Sequence, residues 1–89
     1  MLVQFNKNIQ FTKLVKTEGR LREFNFRRVN GIQEGLFSID VSDDRGNRVM
    51  FRMEKAEGQW KIQDQSLPDW ITQAEPTFHE LIEEELRNS

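Results

Sequence analysis

The stretch LFSIDVSDDRGNRVMFRM, Leu36 to Met53, decides the fold. Phe37, Ile39 and Val41 alternate with Leu36, Ser38, Asp40 and Ser42, and Val49, Phe51 and Met53 alternate with Arg48, Met50 and Arg52. A period of two is that of a half-buried strand. Between the two runs, Asp43 or Asp44 can bond nearby backbone N–H groups, and Gly46 can take the positive φ of a type I turn with a bulge. The spacing predicts a hairpin with its register pinned, because a slip of one residue would turn three apolar side chains into water.

Working outward, a strand is expected from about Ile9 to Lys16, with a short one before it. Thr17 to Arg20 form a turn signal. Phe24 and Phe26 mark a strand between Leu21 and Val29, whose two ends break the parity and predict a bulge or fraying. Residues 30–35, NGIQEG, read as a loop. KAEGQ at 55–59 is another turn, and Trp60 and Ile62 start a last strand. Residues 1–62 thus form an antiparallel meander of four to five strands.

Such a sheet needs a cover on its apolar face, and residues 66–88 supply it. Ser66 is a candidate cap, with Pro68 and Asp69 opening a short helical turn. Pro76 kinks or splits the helical segment. Phe78, Leu81, Ile82 and Leu86 then recur at helical spacing, with Glu80, Glu83, Glu84 and Arg87 opposite. The fold class is α+β, a single domain with a C-terminal helix on one face of the sheet.

The chain has 89 residues, 36% hydrophobic and 31% charged, and no cysteine, so its core must hold without disulfides. The N-terminus lacks the apolar core of a secretory signal, and no apolar run reaches the roughly 18 residues that span a bilayer. A soluble, cytoplasmic protein without membrane attachment is expected. Walker and GxGxxG loops are absent. The run from Asp40 starts like a calcium loop but has Arg45 where Gly is needed and Phe51 where a bidentate Glu belongs. His79, the single histidine, reads as a solvent-edge helix residue. No constellation supports catalysis, so neither an enzyme nor a bound cofactor or metal is expected.

Charge is unevenly spread. Residues 1–61 carry 12 Lys and Arg against 8 Asp and Glu, a net of +4, and residues 62–89 carry one Arg against 7 acids, a net of −6. With the Phe-rich face under the helix, the other face presents Arg27, Arg48, Arg52 and Lys61 around Met50 and Leu36. Two readings stay open. These cations take a polyanion or an acidic partner, or they solvate the sheet and pair with Glu23, Asp40 and Glu54. Glu85 falls inside the apolar stripe, so it must pair with a sheet arginine, reach solvent at the fraying end, or mark a dimer contact; an unpaired buried carboxylate costs on the order of several kcal/mol.

The run from Phe37 to Gly46, the strand after it, Trp70 and the acidic terminal helix resemble the strand-turn-strand of PUR-alpha repeats and the related Whirly-type modules, which bind single-stranded nucleic acid. The chain is equally similar to small bacterial domains. The resemblance implies a four-stranded sheet with a C-terminal helix and a partner in single-stranded nucleic acid. It departs from the family in lacking aromatic residues on the outer face, where bases would stack. The leading expectation is a small non-catalytic interaction module of unspecified partner, with homodimerisation through sheet or helix as one route. Single-stranded nucleic-acid binding is the alternative.

Overall fold

The computed structural model describes residues 9–29, 35–63 and 66–88. Five strands, β1 (Gln10–Thr17), β2 (Arg20–Val29), β3 (Leu36–Ser42), β4 (Arg48–Ala56) and β5 (Gln59–Ile62), form one antiparallel sheet in the order β1-β2-β3-β4-β5. Two helices follow, α1 (Asp69–Thr72) and α2 (Glu75–Arg87). The expected short strand before Ile9 and most of the loop at 30–35 lie outside the described residues.

Turn chemistry fixes the strand order. The β1–β2 and β4–β5 connections are two-residue Glu-Gly loops, with Glu18 at φ 51° and Gly19 at 79°, and Glu57 at 54° and Gly58 at 81°. Positive φ at both central residues is the type I′ turn, whose twist matches that of the flanking strands. The β3–β4 turn is the expected type I turn with a bulge. The Gly46 N–H donates to the Asp43 carbonyl at 3.0 Å, the Asp43 side chain accepts the N–H groups of Arg45 and Asn47 at 2.9 and 2.8 Å, and Gly46 holds φ 84°. Those backbone donors, Asn47 foremost, hold the Asp43 carboxyl below its ordinary range.

The alternation read from the sequence sorts the sheet into two faces. Phe24, Phe26, Phe37, Ile39, Val41, Phe51 and Met53 are buried under the helices, and Val49 is half-buried. Phe78 of α2 inserts among them, with its ring centroid 4.9 Å from that of Phe24, 5.9 Å from Phe26 and 5.7 Å from Phe51. Ile82 and Ile71 are fully buried beside it. Among the described residues no helix is long and apolar enough to cross a membrane.

Two local expectations are corrected, the bulge in β2 and the Ser66 cap, while the expected break near Pro76 takes the form of a split. Strand β2 has no bulge: its pairing with β1 runs unbroken from Gln10↔Arg27 to Thr17↔Arg20. Leu21 and Val29 keep the parity by standing on the open face, and Arg22 takes the inner position instead. Arg22 is tolerated there because its guanidinium lies 4.0 Å from the Trp70 ring centroid and donates to Thr17 Oγ1 at 2.9 Å and Asp44 Oδ1 at 3.0 Å. Ser66 does not cap α1; Pro68 occupies the N-cap position, and its carbonyl accepts the Ile71 N–H at 3.0 Å. The helical segment splits at Gln73 and Ala74, which leaves Pro76 in the first turn of α2, where its missing N–H is no loss.

Candidate functional site

The strand registers place Arg27, Arg48, Arg52 and Lys61 together on the face away from the helices. One row across the sheet reads Gln10, Arg27, Ser38, Arg52, the next Thr12, Asn25, Asp40, Met50, and a third Val29, Leu36, Glu54, Lys61. Arg27 and Arg52 flank Ser38 with their strands about 10 Å apart, twice the usual spacing. They border a depression of about 580 Å³ with Val29, Leu36 and Met50. Met50 is 54% exposed, so the floor is an apolar patch open to water.

Three of these cations differ in what holds them. Arg48 is engaged by Asp40 at 3.1 Å. The other oxygen of Asp40 accepts the Asn25 amide at 2.9 Å, and Asn25 Oδ1 accepts the Thr12 hydroxyl at 2.7 Å. That chain of bonds crosses four strands and partly neutralises one side of the face. Lys61 stands opposite Glu54. Arg27 has no hydrogen bond or ion pair with a described residue, and its exposed guanidinium faces solvent.

Every described aromatic ring lies on the helix side of the sheet or on the helices. Phe11 of β1 stacks on Phe26 with centroids 4.5 Å apart and planes within 4°. The open face therefore offers cations, hydroxyls and aliphatic groups but no stacking platform. Among the described residues no group of His, Cys, Asp and Glu is arranged to hold a metal ion.

Glu85 is half-buried, and its carboxylate forms no ion pair with a described cation, so the expected pairing with a sheet arginine is not made among the described residues. His79 and Glu83 are the residues that sequence reasoning misplaced. Glu75, His79 and Glu83 follow one another at intervals of four, a single stripe along α2, and that stripe faces β5. Glu75 Oε2 accepts the Ile62 backbone N–H at 2.7 Å, and His79 Nδ1 accepts the Trp60 backbone N–H at 3.1 Å. Glu83 Oε2 accepts both the Trp60 indole N–H at 2.8 Å and Lys55 Nζ at 3.0 Å. The spacing of four was visible in the sequence; its partners, two backbone N–H groups of β5, the Trp60 indole and Lys55, were not.

No protein-family model, curated protein or solved structure matches the chain.

Proposed function

We propose that the chain is a small non-catalytic binding module whose working surface is the open face of the sheet. One observation carries the reading: Arg27 and Arg52 flank Ser38 over a floor of Val29, Leu36 and the exposed Met50. Guanidinium forks match carboxylate or phosphate oxygens, and an aliphatic floor takes the uncharged part of the same ligand. The ligand class is an anion with an apolar portion.

Single-stranded nucleic acid is the second reading, favoured by the placement of Arg27, Arg48, Arg52 and Lys61 on one face. It would be held through phosphates, since the described residues of that face include no ring for stacking. Titration with tripolyphosphate and with a short single-stranded oligonucleotide, followed through the backbone amides of Arg27, Ser38 and Arg52, tests both. Shifts confined to those amides and lost in the Arg27→Ala, Arg52→Ala double variant support the module. A much tighter oligonucleotide complex that weakens steeply with salt selects nucleic acid. No shift with either probe at low salt removes the anion site.

A further inference from the structure

The two edges of the sheet are treated differently. At β5, Trp60 and Ile62 turn their N–H groups away from β4, and α2 receives them through His79 and Glu75. At β1, the Arg28 N–H donates to the Ile9 carbonyl at 2.9 Å, so Ile9 turns its backbone toward β2. In an antiparallel pair the bonding positions alternate. Residues 11, 13, 15 and 17 therefore face β2 as well, and Gln10, Thr12, Leu14 and Lys16 turn their N–H and C=O groups outward. Among the described residues nothing covers that edge.

The side chains along this edge are specific in kind. Leu14 and Leu21 are 65% and 66% exposed, and both stand on the open face, diagonal to each other across the β1–β2 ladder. Lys13 and Lys16 flank Leu14, and β1 holds no carboxylate. The hairpin from 10 to 29 carries six Lys and Arg (13, 16, 20, 22, 27, 28) against Glu18 and Glu23, six minus two giving +4, and Asp44 of the β3–β4 turn, paired with Arg20 and Arg22, lowers that to +3. A second copy docked here would set that charge against itself, and edge lysines are a common device against such self-pairing. An acidic strand meets the opposite situation, with backbone, apolar and charged groups each finding a partner.

We propose that the β1 edge accepts an extended acidic segment of another protein as an antiparallel sixth strand. In that orientation successive partner residues lie opposite Lys16, Val15, Leu14 and Lys13. The segment recognised has the order acidic, any, apolar, acidic, its apolar residue packing on Leu14, which Leu21 of β2 backs from the far side. Main-chain bonds supply affinity and the alternating side chains supply selection. This surface is separate from the depression between Arg27 and Arg52, and either can stand without the other.

The test uses a labelled peptide of about ten residues centred on Glu-Val-Leu-Glu, with a Lys-Val-Leu-Lys peptide as control, against the full chain. Leu14→Ala removes only the apolar contact, whereas Leu14→Pro also deletes an outward N–H while leaving every β1–β2 bond in place. The acidic peptide is expected to bind and to slow hydrogen exchange at the amides of Thr12, Leu14 and Lys16. Affinity is expected to fall about tenfold in Lys16→Glu, and further in Leu14→Pro than in Leu14→Ala. Equal binding of the basic peptide, binding that survives Leu14→Pro but is lost in the Arg27→Ala, Arg52→Ala variant, or no binding by the native chain overturns the proposal. A dimer that forms through β1 in the absence of peptide would overturn it in favour of a second copy.

Discussion

Strands β1 and β5 bound the same sheet, yet their exposed backbone is handled in opposite ways. The β5 edge is short, four residues, and its outward N–H groups end on Glu75 and His79, while Glu83 locks the Trp60 indole and Lys55 beside them. The β1 edge is twice as long, has no described residue against its outward groups, and carries lysines. An unpaired edge in an open sheet is a template for wrong partners. The helix removes that hazard on one side by direct hydrogen bonding. On the other side the described residues offer lysines instead, and under the proposal above that charge repels copies of this chain and admits acidic strands. The contrast teaches that the position of α2 serves two ends, covering the apolar face with Phe78 and Ile82 and sealing β5 with the neighbouring stripe.

The strongest way to break the contrast is to undock α2. Phe78 is fully buried and meets rings from β2 and β4, so Phe78→Ala should cost about 3–5 kcal/mol, the range for emptying a buried Phe site. Urea denaturation measures it. The fraction that stays folded should also exchange the Trp60 and Ile62 amides rapidly, making β5 resemble β1. A loss below about 1 kcal/mol would mean that helix docking does not depend on its apolar stripe.

A finer cut leaves the core alone. Glu75→Ala deprives the Ile62 N–H of its acceptor, which should cost about 1–3 kcal/mol if the group stays shielded and less if water reaches it. Native-state hydrogen exchange separates the edges directly. In the unaltered protein the Ile62 and Trp60 amides should be protected and those of Thr12 and Leu14 fast. In Glu75→Ala, Ile62 alone should join the fast class. Equal protection of the two edges from the outset would remove the asymmetry on which the β1 proposal stands.

How far all this was legible depended on whether a feature was local. Strand alternation around Phe37 and Phe51 and the turn at Gly46 are properties of neighbouring residues, and they placed Arg27, Arg48, Arg52 and Lys61 on one face. Which of those cations is engaged depends on register between strands, and the capture of Arg48 by Asp40 needed the β3–β4 pairing as well as the rotamers. The burial of Arg22 was visible in principle, two residues before Phe24 in a period of two. Reading Leu21 as an apolar residue that ought to face inward hid it, although isolated exposed leucines are ordinary. Glu83 looked like one acid in a wet run because side chains on a helix were sorted by hydrophobicity alone. Its role depends on a tryptophan 23 positions earlier in the chain.

The smallest effect sharpens that last point. The Lys55 hydrogen bond, then that of the Trp60 indole, hold the Glu83 carboxyl below the ordinary 4.5 of a glutamate. A carboxyl whose folded pKa is depressed adds stability at pH values above its unfolded pKa, and that stability is lost as pH falls through the folded value. Stability should therefore drop as pH is lowered from about 5 through the acid range, with Asp43, also depressed, contributing in the same direction. Glu83→Gln isolates the helix contribution, because the amide oxygen can still accept the Trp60 N–H while the charge facing Lys55 is gone. Both side chains of the pair remain partly exposed, so the difference from the native protein at pH 7 should stay below about 1 kcal/mol. It should shrink as pH falls through the folded value, since Asp43 cancels in the comparison. A difference that holds constant from pH 7 to pH 3 would show that the β5 seal rests on hydrogen-bond geometry alone and that the charge of Glu83 adds nothing to it.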